Sequence, residues 1–287
     1  MVSIIAVNHN RKSYLKNCLD SVTNQSFEDL EIIVIDNASS DGSAEMIKNN
    51  HKNIKLIENK QNLLFCKAYN QGIEASEGEF VLCLNNDVIL GKDYLEEAFS
   101  AVSLDEKIGM ISGKILRMDG ETIDSTGLFL GRNRKAVERG YGKIDKGQYE
   151  KAGYVFGVSG ACAFFRRSML MAVKDEHGYF DERFGMYYED LDLCWRAQKK
   201  GWKAYYNPKA IAYHLRGGTS ISNREERPLN LRYLLNELKK KYIKNRYKCI
   251  VKNDTLWGVL INLPFIMLYE IKIWSYVFLR LLRSFHR

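Results

Sequence analysis

The chain of 287 residues is long enough to bury one large α/β core with an appendage. Its composition, 46% hydrophobic and 27% charged with three prolines, excludes disorder and a long flexible linker. The formal charge of +8 sits at one end, with 12 Lys/Arg against 3 Asp/Glu in residues 229–287 and 31 against 32 before them, which excludes a broad nucleic-acid-binding face.

The opening MVSIIAVNHN has no basic n-region and only a short apolar run. It reads as a strand, Val2–Val7, and not as a signal peptide, so a cytoplasmic protein is expected. Tyr14, Leu15, Cys18, Leu19 and Val22 then recur at helical spacing. Glu31–Ile35 is a second strand, and Ser39–Ser43 starts the next helix. Ile54–Ile57 is a third strand, followed by a helix over Phe65–Ala75. Phe80–Leu84 is a fourth, followed by a helix over Tyr94–Val102. Strand-like pieces at Ile108–Leu116, Leu128–Leu130 and Ala161–Phe165 lie in a glycine-rich stretch, before a helix over Tyr187–Lys200 and the segment Ala204–Leu215. The six cysteines (Cys18, Cys66, Cys83, Cys162, Cys194, Cys249) show no C-x-x-C or zinc spacing and read as buried, reduced thiols.

Near-continuous apolar strands alternating with helices predict a mainly parallel sheet covered on both faces. Ligands of such sheets bind beyond the carboxyl ends of the strands, where Asn8, Asn10, Asp36 and Asn85-Asn86-Asp87 fall. Neither G-x-G-x-x-G nor G-x-x-x-x-G-K-[ST] occurs, so a bound nucleotide needs its phosphates neutralised by a divalent cation, Mg²⁺ or Mn²⁺. Asn85-Asn86-Asp87 reads either as part of that cation site or as an Asx turn. In Glu189-Asp190-Leu191-Asp192 three carboxylates open a helix, where the dipole favours their charge. Asp192 is spaced to pair with Arg196, which leaves Glu189 and Asp190 to face the sheet ends and accept a proton, or to be a solvated acidic helix start. His214, beside a glycine loop, reads as a metal ligand or as a structural histidine.

Together VSIIAVNHN, VIDNASSDGS, NLLFCKAYNQGIEAS, FVLCLNNDV, VSGACAFFRRS, FDERFGMYYEDLDLCWRAQKKGW and HLRGGTS resemble the family 2 glycosyltransferases over roughly residues 1–225. The rhamnosyltransferase-like enzymes of cell-surface polysaccharide synthesis are the nearest branch. The resemblance implies a GT-A fold and an inverting transfer from a nucleoside-diphosphate sugar (dTDP-rhamnose or a UDP-hexose) to a saccharide or lipid-linked saccharide. It implies Asn8 and Asn10 in the nucleotide pocket, Asp36 at the base, and Asn62, Asn70 and Gly72 along the donor pocket. Asn85 and Asp87 match the family's D-x-D, with Asp87 the metal-binding carboxylate and asparagine in place of the first acid. Gly160 and Ala161 match the loop beside the donor sugar, Asp190 the catalytic base with Glu189 near the acceptor, and His214 a metal ligand. The Q-x-x-R-W motif of processive synthases is absent, so single-sugar transfer is expected. A sugar-nucleotide pyrophosphorylase and a catalytically silent sugar-nucleotide-binding subunit are the alternatives.

The expected division is a glycosyltransferase domain over residues 1–228 and a basic, then apolar, helical tail over 229–287. Residues 229–252 read as a basic helix and 256–285 as a mostly apolar one that Pro264 breaks. Its uncharged run from Leu256 to Tyr269 is too short to span a bilayer, which needs about twenty residues. The helices read either as a pair packed on the protein's own core or, from the flanking Lys and Arg, as a segment docking on the anionic inner face of the cell membrane, which is the expectation.

Overall fold

The computed structural model describes residues 1–215 and 236–285. The glycine loop expected after His214, the division at residue 228 and the side chains of Lys239, Arg280, Arg283 and Arg287 lie outside the described residues.

Four parallel strands form the first half of the sheet: β1 (Val2–Asn8), β2 (Leu30–Asp36), β3 (Lys55–Glu58) and β4 (Phe80–Asn85), in the order β3-β2-β1-β4. Helices α1 (Lys12–Thr23), α2 (Ser43–Asn50) and α3 (Leu64–Glu74) connect them. Leu15, Cys18, Leu19 and Val22 form the buried stripe of α1, which covers one face of β1 and β2 together with Met46 and Ile47 of α2. The other face is covered by α3, whose Gly72 lies so close to the sheet that a Cβ there would stand 2.4 Å from Ile5 Cγ2. Any side chain at Gly72 would push the helix off β1.

The second half comprises β5 (Val88–Leu90), α4 (Tyr94–Val102), β6 (Ile108–Arg117), β7 (Ile123–Ser125), β8 (Leu128–Leu130), β9 (Ala136–Glu138), β10 (Gly153–Val155), β11 (Cys162–Arg166), α5 (Arg167–Val173), α6 (Glu189–Lys199) and β12 (Lys203–His214). Strand β11 enters antiparallel between β4 and β6, and β12 lies parallel to β6, so the expected sheet is parallel in its first half and mixed beyond it. The last residues of β12 pair with β5 on one side and β6 on the other, with His214 opposite Val88 and Arg117. That register carries His214 to the mouth of the parallel half. All six cysteines are buried and unpaired, as expected.

Two helices follow, α7 (Asn236–Asn253) and α8 (Leu256–Phe285). Helix α7 packs against α6 through Tyr242, Asn245, Cys249 and Asn253, spaced along one buried face. Helix α8 runs through Pro264 without a break, correcting the sequence expectation. Proline removes one backbone N–H from the helix, and the turns on either side of it, rich in Leu, Ile, Phe and Met, continue the helix. The stretch Leu256–Ser275, 20 residues of mean hydropathy 1.5, is long and apolar enough to cross a membrane, by length and composition. Trp257, Ile261, Leu268, Ile271 and Trp274 are exposed on it.

Candidate active site

The carboxyl ends of β1, β2 and β4 meet as the sheet register requires, with Asn8 opposite Asp36 and Val7 opposite Asn85. The Asn8 amide donates to Asp36 Oδ1 (3.3 Å) and Ser39 Oγ (3.1 Å), and its own Oδ1 accepts from Asn86 Nδ2 at 2.7 Å. Asp36 is buried, and its second oxygen accepts the Ser39 N–H at 2.9 Å. Asn10 adopts a left-handed backbone (φ 53°), and its Oδ1 accepts from the Ser40 N–H at 2.7 Å. Asn8, Asn10, Asp36, Ser39 and Asn86 therefore organise one polar wall, of which Ser39 was not singled out from sequence as a site residue.

A second line of contacts runs from β4 to α6. The Asn85 N–H donates to the Ala161 carbonyl at 2.9 Å, and Asn85 Oδ1 accepts from the Tyr69 hydroxyl at 3.3 Å. The neighbouring Gly160 N–H donates to Asp190 Oδ2 at 3.2 Å, while Asp190 Oδ1 accepts the Leu191 N–H at 2.7 Å. A Cβ at Gly160 would press within 3.4 Å of Asp190 Cβ, so the backbone of this loop approaches the carboxylate because it has no side chain. Helix α6 begins at Glu189, two residues later than the sequence pattern implies, because Tyr187 and Tyr188 both adopt φ near +70°. Bulky residues in that region are strained, by about 1–3 kcal/mol each, and the pair turns the chain sharply so that both carboxylates start the helix. Glu189 is 6% exposed. Burial, with the Asp190 charge beside it, pushes its carboxyl up to about 8. Asp192 pairs with Arg196 at 2.9 Å as the spacing predicts.

The third component is histidine-centred. His214 Nε2 lies 3.3 Å from Asp87 Oδ1, and His214 Nδ1 lies 2.8 Å from Asp124 Oδ2 on β7. Burial alone would lower the imidazole, but the Asp124 carboxylate and then Asp87 override it and raise it to about 9. Asp124 is fully buried and was not read from the sequence. With Nδ1 anchored on Asp124, Nε2 would be able, on giving up its proton, to ligate a cation beside Asp87, as in a carboxylate–histidine–metal triad. Adjacent ligands of an octahedral ion with bonds of ~2.1 Å stand ~3.0 Å apart, so the Asp87–His214 pair fits one edge of a divalent cation's shell. Two protein ligands leave the remaining positions to phosphate oxygens and water.

Three expected donor-pocket residues stand apart from this convergence. Asn62 is exposed and caps its own turn, accepting from the Leu64 N–H at 2.9 Å. Asn70 pairs through both amide atoms with the Phe180 backbone, at 2.8 and 2.9 Å, and so fastens α3 to the loop before α6. Gly72 faces Ile5 in the helix–sheet contact. For Asn70 and Gly72 the close contacts are with the loop backbone and with the core.

The model of the glycosyl transferase family 2 matches residues 3–173. Among curated proteins, the poly-beta-1,6-N-acetyl-D-glucosamine synthases of Staphylococcus aureus and Staphylococcus epidermidis are 27% identical over 220 residues, 75% of this chain and 50% of theirs. The chain thus spans about half the length of these relatives. Among solved structures, a mannosyltransferase from Pyrobaculum calidifontis in complex with GDP-Man and Mn²⁺ aligns with a TM-score of 0.61 at 16% identity, over 88% of this chain and 65% of that one. TarS of S. aureus aligns with a TM-score of 0.57 at 19% identity, over 75% and 36%. The family model covers more than half the sequence, and the chain therefore belongs to glycosyltransferase family 2.

Proposed function

We propose that the chain transfers one sugar from a nucleoside-diphosphate sugar, dTDP-rhamnose or a UDP-hexose, to a lipid-linked saccharide in cell-surface polysaccharide synthesis, with inversion. The observation that carries this reading is the unbroken path from the strand-end wall through Asn85, Ala161 and Gly160 to Asp190. It puts a carboxylate on a helix start beside the loop that would flank the donor sugar. Asp190 takes the proton of the acceptor hydroxyl as that oxygen bonds to the anomeric carbon. The bond from that carbon to the diphosphate breaks, and its electron pair leaves on the phosphate oxygen. A divalent cation held by Asp87 and His214 would neutralise the charge of the departing diphosphate. The polar wall of Asn8, Asn10 and Asp36 would receive the nucleoside.

The enzyme would work at the inner face of the cell membrane, held there by the apolar face of α8 and the basic residues around it. The relatives' cell-surface polysaccharide product supports such a location. Asp190→Asn keeps shape but cannot accept the proton, so turnover should fall by at least about 10²-fold while nucleotide affinity stays near wild type. Steady-state kinetics with isothermal titration of the nucleotide checks this. Substantial turnover in the variant would move the base to another group, and an inactive wild type that still binds nucleotide sugar would make the chain a binding subunit.

A further inference from the structure

The strained turn at Tyr187–Tyr188 is held from outside the glycosyltransferase core. Asn245 on α7 is 2% exposed, and its side-chain amide donates to three carbonyls of the turn: Phe184 (2.9 Å), Met186 (2.8 Å) and Tyr187 (2.9 Å). One turn before it, the Tyr242 ring stands edge-on to both tyrosines, with centroids 5.8 Å from Tyr187 and 5.0 Å from Tyr188. Further along the same face, Asn253 donates to Asp192 Oδ1 at 2.7 Å, and Lys252 reaches Asp181 at 2.7 Å and Asp192 at 3.2 Å. Helix α7 therefore grips α6 at its stem and the turn at its head. Two consecutive left-handed aromatic residues persist only where their surroundings compensate the strain, and the Asn245 amide supplies donors to a backbone that would otherwise relax.

We infer that Asn245 is a positioning residue: by clamping the Phe184–Tyr187 carbonyls it fixes the turn that aims Asp190 at the acceptor. This rests on the transferase reading of the Asp190 site. A carboxylate displaced by about 1 Å loses on the order of 10²-fold in rate, while the nucleotide wall at the ends of β1 and β2 is untouched. The full-length chain carrying Asn245→Ala, with Asn245→Ser as a second variant should the first fold poorly, tests this in two ways. Hydrogen exchange should quicken in residues 184–191 and stay unchanged in residues 80–90. The kcat should fall about 10–100-fold, with the nucleotide Kd within about twofold of wild type. Unchanged exchange at the turn, or faster exchange with an unchanged kcat, would overturn the inference. Should the wild type transfer no sugar, the transferase reading fails by itself, because exchange of the turn is read without turnover.

Discussion

Asp124 and His214 lie 90 residues apart in sequence and 2.8 Å apart in space. An asparagine at 124 would still accept a hydrogen bond but would carry no charge, so His214 would be a weaker and less firmly oriented ligand. Asp124→Asn should weaken Mn²⁺ affinity about 10–100-fold in the presence of nucleoside diphosphate, measured by calorimetry; unchanged affinity would remove Asp124 from the site. Glu189 makes a different prediction. Its carboxyl is raised from 4.5 to about 8, so between those values the unfolded chain releases a proton that the folded chain keeps. Stability therefore falls as pH rises through this window and levels off above it. Glu189→Gln should gain Tm on wild type between pH 5 and pH 8, and an equal offset at both would show that Glu189 ionises freely in the fold. Asp87, Asp190 and His214 could be singled out in sequence because each lies in a dense motif at a strand end, a helix start or the turn between two strands. Asp124 was not. It sits in a three-residue strand too short to show a period, and only the β6–β7 pairing carries it to His214.

At the scale of elements, the long pieces were readable because their apolar periods run for two turns or several residues. The strands β5, β7, β9 and β10 are three residues each and show no alternation to detect. Helix α7 was readable as a basic helix, but not as a partner of the Tyr187–Tyr188 turn, since its lysines conceal the stripe of Tyr242, Asn245, Cys249 and Asn253. Helix α8 is fastened at few points: Glu270 to Arg246 and Tyr247, Asn262 and Phe265 to Arg132, and Trp274 to the Tyr247 hydroxyl. Just before it, Asp254 pairs with Arg134 at 2.6 Å. A chain ending at residue 255 should bind nucleotide and leave anionic liposomes, which the full-length protein should cosediment with and leave only partly in high salt. A chain ending at residue 228 loses the whole α7 face and should have a lower Tm than the 255-residue chain. Full-length protein that ignores anionic vesicles would refute docking by α8.

Across the whole molecule, charge is divided between the two ends. The first 228 residues are close to neutral, while the last 59 carry the basic excess. That division was visible in composition; the grip of α7 across it was not, because it depends on side chains that meet only in the fold. The buried thiols also extend over the molecule. Cys18, Cys66, Cys83, Cys162, Cys194 and Cys249 fall one each on α1, α3, β4, β11, α6 and α7, and burial pushes every one of them up. A thiol reagent should find none of them in the intact protein. Each of these elements thus carries its own chemical clock, and the order in which the six sites become alkylated in mild denaturant would record the order in which the fold comes apart, with Cys249 timing the release of the helix that clamps the Tyr187–Tyr188 turn.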